Sequence, residues 1–178
     1  MQRTLIASVL GGIVLFIWGA LSHMVFGIGD TGVKFMPNEE TVRATLGANI
    51  PEEGFYFFPT PDAEQNLSAG PSGILIYHPD AALQMTSKQL ITELITNILS
   101  AWIAAMLMIK YMGGLAGIGA RVLFVSMLGL FATVAVDIPY WNWYGFPGIY
   151  TLGALADNLI GFTLVGVVLA WRLGPKKA

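Results

Sequence analysis

The chain contains the stretch Val136-Asp-Ile-Pro-Tyr-Trp-Asn-Trp-Tyr-Gly-Phe-Pro147, which lies between two long apolar segments. The rest of the sequence can be divided into elements on either side of this stretch. It surrounds a single carboxylate, Asp137, with aromatic residues and prolines. Tryptophan and tyrosine are enriched where a membrane meets water. We therefore predict an aromatic turn at the non-cytoplasmic face of a membrane, which joins two helices that cross it.

Four segments are apolar over roughly the 20 residues that a helix needs to span a bilayer. They cover about residues 4–27, 90–112, 118–140 and 151–173. The chain is 11% charged, whereas soluble domains carry about 25% charged residues. These features predict an all-α membrane protein, in which residues 1–178 form a single membrane domain with four antiparallel transmembrane helices. The first segment is longer than the apolar core of a signal peptide, so we expect it to remain in the protein.

Residues 29–89 form a polar stretch between the first and second predicted spans. Pro37-Asn38-Glu39-Glu40 predicts a helix that begins after Asn38 as N-cap and ends before Pro51. Gly54-Phe-Tyr-Phe-Phe58 and Gly73-Ile-Leu-Ile-Tyr77 have the composition of short strands. A helix and two strands bury too little surface to be stable alone. We therefore predict a small outer αββ cap that rests on the ends of the membrane helices.

Charged residues are divided between the two predicted faces. Six basic residues flank the span ends on one side, namely Arg3, Lys110, Arg121, Arg172, Lys176 and Lys177. All eleven acidic residues lie on or near the other side. Because basic residues concentrate on the cytoplasmic side of membrane proteins, both termini are predicted to be cytoplasmic. Nucleic-acid binding has no support, and a chain without cysteine has neither disulfides nor thiolate metal sites.

Small residues are predicted to bring the spans together. Ser8, Gly12 and Gly19 share a helix face with His23, and small residues on one face let helices approach closely in lipid. The glycine-rich turn at 113–119 is short. The second and third spans are therefore predicted to be antiparallel neighbours.

Polar side chains inside the predicted spans collect near the outer ends. They are His23, Glu93, Asn97, Asp137, Asp157 and Asn158. At 1.5 Å per residue, the ionisable ones lie within about two turns of the outer surface. Carboxylates at membrane depth are costly and are functional candidates by default. One imidazole and three carboxylates could bind a divalent cation, pass protons or hold the polar head of an amphiphile, although a single histidine argues against zinc.

The same polar residues also have a structural interpretation. Asp157, Asn158 and Glu93 would complement the dipoles at the starts of their helices, and Asp137 would cap the amides of the turn or pair with an outer arginine or lysine. The aromatic residues would then be interfacial anchors. In the functional interpretation, an aromatic lid covers the polar layer and consists of Trp141, Trp143 and Tyr144.

Three features of the sequence together resemble those of a known kind of protein. They are Trp-Asn-Trp-Tyr-Gly-Phe-Pro at 141–147 with Tyr150-Thr151-Leu152, the pair Asp157 and Gly161, and the acidic helix followed by Gly54-Phe-Tyr-Phe-Phe-Pro59. The pattern resembles small four-helix proteins of bacterial inner membranes. The resemblance implies a multi-pass protein of that membrane, but no activity and no residue roles.

Two classes of function follow from the sequence. The first is a non-enzymatic accessory or scaffold component that contacts membrane lipids and a partner membrane protein or a second copy of itself. We favour it because three of the four ionisable groups lie within about a turn of the interface, where burial costs less than at the centre of the bilayer. The second is a pocket protein that binds, transports or modifies a lipid-like or amphiphilic small molecule through the polar layer. We assign no catalytic residue, metal or cofactor from the sequence.

Overall fold

The computed structural model describes residues 1–60, 70–80, 85–111 and 117–174 of a mostly helical chain. Its α-helices are α1 (Gln2–Leu21), α2 (Glu39–Asn49), α3 (Ser87–Tyr111), α4 (Gly117–Ala132), α5 (Ile138–Tyr144) and α6 (Gly148–Leu173). Two π-helical turns extend them, since Ser22–Phe26 continues α1 and Thr133–Asp137 joins α4 to α5. Strands β1 (Gly54–Phe58) and β2 (Gly73–Tyr77) pair in antiparallel register. Most of the glycine-rich turn, together with Lys176 and Lys177, lies outside the described residues.

Four helical segments of the described chain are long and apolar enough to cross a membrane, which confirms the predicted candidate spans. They are Gln2–Phe26, Ser87–Tyr111, Gly117–Tyr144 and Gly148–Leu173. In each, between 17% and 28% of the most apolar window is buried inside the protein. Most of the large apolar side chains therefore face outward. Soluble monomers rarely expose continuous apolar surfaces of this extent.

The long helices pack in the order α3, α1, α6, α4, because α1 contacts both α3 and α6 while α4 packs against α6. Small residues make this contact close. A Cβ at Gly12 would clash with the backbone of Ile98 in α3, and a Cβ at Gly129 would lie 2.9 Å from the Cβ of Phe162 in α6. The buried core is formed largely by small and medium apolar residues, namely Ala7, Ala101, Ala104, Ala105, Met108, Val125, Val165, Leu169 and Leu173.

The second and third predicted spans, α3 and α4, are not close neighbours, contrary to the expectation from the short turn between them. They make few contacts with each other. Ala101 of α3 faces α1, where its Cβ is 3.1 Å from the Cβ position of Gly11, and Gly129 of α4 faces α6. The surfaces with small residues therefore determine which helices pack together, and the length of the connection does not.

The predicted aromatic turn is a short helix, α5. The sequence predicts that the third span ends at Pro139, but the helix continues to Tyr144 and ends at Gly145, which has a left-handed φ of 71°. Proline lacks an N–H and its ring clashes with the carbonyl one turn earlier. The π-helical turn Thr133–Asp137 lies immediately before Pro139 and changes the backbone spacing there. The chain therefore passes the proline without leaving the helix.

The cap contains the predicted helix and both predicted strands with the expected bounds. Asn38 precedes α2 as expected, but its side chain makes no capping hydrogen bond. Its backbone has a left-handed φ of 52° instead of the extended conformation that side-chain capping requires. The rings of Phe55 and Phe57 lie 6.5 and 6.0 Å from the ring of Tyr144. The sheet of the cap therefore rests on α5.

Candidate binding groove

A groove lies between α1, α3 and α6, toward the end of the helices from which the cap emerges. Its shape follows from two glycines of α1. At Gly12 the helix is in close contact with Ile98 of α3, whereas no atom lies within 4 Å of the Cβ position of Gly19. The two helices therefore separate between these positions and leave an open space of about 950 Å³.

The groove has apolar walls that carry a set of polar groups. Leu15 and Phe16 of α1, Leu90 of α3 and Phe162 of α6 supply much of the apolar surface. The polar side chains that line it are His23, Asp30, Gln89, Glu93, Asn97, Ser100, Asp157 and Asn158. Sites for small molecules commonly combine an apolar cleft with a few placed polar groups.

Five of the six polar residues predicted from the sequence line this groove, and three helical segments supply them: His23, Glu93, Asn97, Asp157 and Asn158. Glu93 and Asn97 are one turn apart on α3. Asn97 Nδ2 donates a hydrogen bond to Glu93 Oε1 over 3.0 Å. The Glu93 carboxylate is thus oriented by its own helix and keeps capacity to accept further hydrogen bonds.

His23 lies in the π-helical turn at the end of α1, and its partner Asp30 is not among the residues predicted from the sequence. His23 Nδ1 is 2.9 Å from Asp30 Oδ1, and both side chains are at least half exposed. Gly27 ends the turn with a φ of 65°, which lets the chain fold back toward His23. The closely spaced glycines at 27 and 29 are the available sequence signal for this reversal.

Asp157 is too far along α6 for the helix dipole to explain it. The helix begins at Gly148, earlier than the predicted Thr151, so Asp157 lies in its third turn, whereas dipole effects are confined to the first. Asp157 Oδ1 is buried and has no hydrogen-bond partner among the described residues. An unsatisfied buried acceptor costs about 1–3 kcal/mol. A donor on a bound molecule would remove this cost.

Asp137, the sixth predicted residue, is not among the described residues that line the groove. Asn158 Nδ2 lies 3.3 Å from Asp137 Oδ2 and 3.1 Å from Thr133 Oγ1, and donates to both. The predicted layer is therefore divided, since Asp137 belongs to the contact between the π-helical turn and α6. The Asp137 side chain also makes no capping hydrogen bond at the start of α5. Asn158 connects it to the groove.

The predicted aromatic lid is not placed over the groove. Within the described chain, the lining of the groove includes no residue of α5. Trp141 and Trp143 are exposed, Trp143 to 79%, and Tyr144 packs on the cap. The reason is the helix order, because α5 continues from α4, and α4 packs against α6 and not beside the groove.

The carboxylates of the groove are spread along it. Across residues 1–60, 70–80, 85–111 and 117–174, no group of three or more His, Asp or Glu side chains lies close enough together to hold a metal ion. A single divalent cation would need such a group at about 2–2.6 Å from the metal. The distribution of the carboxylates is better suited to a larger ligand that contacts the polar groups of the groove at separate positions.

The groove thus combines apolar walls with three carboxylates, one of which has a buried and unpaired oxygen. Its chemistry favours a molecule with an apolar body and a hydrogen-bond donor on its head group. No protein-family model, curated protein or solved structure matches this chain.

Proposed function

We propose that this chain is a multi-pass membrane protein that binds an amphiphile with an amine head group in the groove. Four spans would cross a bacterial inner membrane in alternating directions, with both termini in the cytoplasm and the cap outside. The outward-facing apolar surface supports the membrane location. The basic residues at one set of span ends support the orientation. In this arrangement the groove opens in the outer half of the bilayer.

The charge of the groove supports an amine head group. Asp30, Glu93 and Asp157 contribute carboxylates, and within the described chain no lysine or arginine lines the groove. An anionic head group would face like charges in a partly apolar space, where such repulsion is strong. A primary ammonium group has three donors and would pair with these carboxylates through charge-assisted hydrogen bonds.

One observation carries the proposal, namely the unpaired buried oxygen of Asp157 beside an apolar groove. The proposal involves binding alone and no chemical step. The accessory or scaffold function expected from the sequence is the alternative outcome of the test below.

The test uses the full chain in phosphatidylcholine nanodiscs and titrates three amphiphiles with the same alkyl chain, dodecylamine, dodecanol and dodecanoate. We expect saturable binding of dodecylamine above the level in empty nanodiscs, weaker binding of dodecanol and none of dodecanoate. Asp157→Asn should weaken dodecylamine binding about tenfold, because one charge-assisted hydrogen bond is worth about 1.4 kcal/mol or more. Isothermal titration calorimetry measures the affinity.

Glu40→Gln is the matched control, since it removes a carboxylate from the exposed face of the cap helix α2. Its affinity for dodecylamine should equal that of the unaltered chain. Equal binding of all three amphiphiles, or an unchanged affinity in Asp157→Asn, would contradict the proposal and leave the scaffold function as the better explanation.

A further inference from the structure

Arg121 is a buried cation at the opposite end of the protein from the groove. It lies near the start of α4 and is only 6% exposed. Its Nη1 would be 3.2 Å from a Cβ at Gly174, so the guanidinium lies beside the end of α6. Among the described residues, Nε and Nη1 of Arg121 have no hydrogen-bond partner. A buried arginine normally has its donors satisfied and its charge paired.

No aspartate or glutamate of the described residues pairs with Arg121. Asp137 lies more than roughly 20 Å further along the same run of helix, and Asp157 lies about as far from the end of α6. The segments at 112–116 and 175–178, which the structure does not describe, contain neither aspartate nor glutamate. Within the described part of the chain, the charge of Arg121 therefore has no side-chain carboxylate to balance it.

The acceptors at the end of α6 are already engaged by a different arginine. Arg3 Nε donates to the carbonyl of Arg172 over 2.6 Å, and Arg3 Nη2 donates to the carbonyl of Gly174 over 2.9 Å. Arg172 has a buried Nε that also lacks a partner within the described chain. The guanidinium carbon of Arg172 lies 5.3 Å from the centre of the exposed Trp171 ring. Three arginines thus lie at this end of α6, and two of them have donors without a partner in the described chain.

We propose that Arg121 and Arg172 bind a phosphate group, carried either by an anionic phospholipid or by a soluble phosphate compound. Phosphate oxygens accept parallel hydrogen bonds from guanidinium groups and supply the missing negative charge. Basic pockets between helices near the cytoplasmic face are suited to anionic lipid head groups. The site does not depend on the groove or on its proposed ligand.

The test is made in dodecyl maltoside, a detergent without phosphate or charge. Dioleoyl phosphatidylglycerol, dioleoylglycerol and inorganic phosphate are titrated separately, and binding is followed by native mass spectrometry and by the thermal midpoint. We expect saturable binding of phosphatidylglycerol and none of dioleoylglycerol, which has the same acyl chains without the phosphate. Arg121→Gln should weaken phosphatidylglycerol binding about tenfold.

Arg43→Gln is the control, because Arg43 is an exposed arginine of the cap that pairs with Glu39 over 3.6 Å. Its phosphatidylglycerol binding should equal that of the unaltered chain. Binding of inorganic phosphate as tight as that of phosphatidylglycerol would support the site and assign it to a soluble compound. If phosphatidylglycerol and dioleoylglycerol bound equally, or if neither phosphate probe bound, the proposal would be overturned.

A purely structural role for Arg121 predicts a different result. Arg121→Gln would then lower the thermal midpoint by the same amount with and without phosphatidylglycerol, and its affinity for the lipid would be unchanged, which also overturns the proposal. If Arg121→Gln does not fold, Arg172→Gln is measured in the same way. In that case, an affinity of Arg172→Gln for phosphatidylglycerol equal to that of the unaltered chain overturns the proposal.

Discussion

Trp18 joins α1 to α6 at the edge of the groove. Its Nε1 donates to the carbonyl oxygen of Asp157 over 3.1 Å, and its ring packs where Gly161 leaves space, 3.0 Å from the Cβ position of that glycine. A helical carbonyl has a second lone pair, so it can accept this bond in addition to its bond within the helix. Trp18 therefore positions the backbone that carries the Asp157 carboxylate.

Trp18→Phe should lower the free energy of unfolding by about 1 kcal/mol or more, because it removes one partly buried hydrogen bond and replaces the indole with a smaller aromatic ring. Trp143→Phe is the control and should change stability little, since Trp143 is 79% exposed and lies outside the groove. Unfolding in mixed micelles with increasing sodium dodecyl sulfate, followed by circular dichroism, measures both. Equal losses in the two variants would contradict a role for the Trp18 hydrogen bond.

At the scale of single residues, depth along a helix can be predicted from the sequence and rotation about the helix axis cannot. The fixed rise of 1.5 Å per residue is enough to place Glu93 and Asp157 near one end of their helices. Whether a side chain faces the groove or another helix depends on the packing angle of each helix. For that reason neither the pairing of Asp137 with Asn158 nor the burial of Arg121 could be predicted from the sequence.

At the scale of helices, the groove exists because α1 and α3 are in close contact at one position and separated at another. Gly12→Ala should destabilise the protein by about 1–3 kcal/mol, because the new methyl group would meet the backbone of Ile98, which cannot rotate away. Gly19→Ala adds the same methyl group to the same helix where no atom lies within 4 Å. Its stability should change by less than about 0.5 kcal/mol.

Thermal unfolding of both glycine variants in the same detergent provides the measurement. A similar loss in the two variants would show that the local clash with Ile98 does not set the effect, because alanine raises helix propensity at both positions. If Gly19→Ala alone destabilised the protein, the close contact of α1 would lie at Gly19 and not at Gly12. Either result would contradict the separation of the helices that forms the groove.

The helix and strands that could be predicted are those whose first and last residues are set by neighbouring residues in the sequence. Pro51 and Pro59 limit the segments before and after β1, and Glu39 marks the start of α2, so these positions follow from neighbouring residues alone. The third long helix passes Pro139 because a π-helical turn precedes it. Such a turn has no sequence signal as clear as the proline that it accommodates, and the extension to Tyr144 therefore could not be predicted.

At the scale of the whole molecule, the two ends differ in charge, and the absence of cysteine allows each end to be labelled separately. Thr41→Cys lies on exposed α2 in the cap, and Lys110→Cys lies near the exposed end of α3. A maleimide that cannot cross membranes should label Thr41→Cys in intact spheroplasts and Lys110→Cys only after lysis. The reverse pattern would contradict the orientation, and labelling of both in intact cells would contradict their placement on opposite sides.

The number of long apolar helices could be predicted, because length and composition are sufficient to identify them. Their packing order could not. The connection between α3 and α4 is short, yet each of these helices packs mainly against another partner. Contact between such apolar helices depends on matching small-residue surfaces, such as Gly129 against α6, and the sequence does not show which surfaces match.

The packing order also has a consequence for how the protein is made. α1 is synthesised first and α6 last among the long helices, yet these two lie side by side at the centre. During translation α3 can join α1 early, whereas α4 must wait with its Gly129 face uncovered until α6 emerges. Assembly on the ribosome therefore cannot proceed by adding each hairpin to the previous one. When α6 emerges, it joins two parts that until then have little contact with each other.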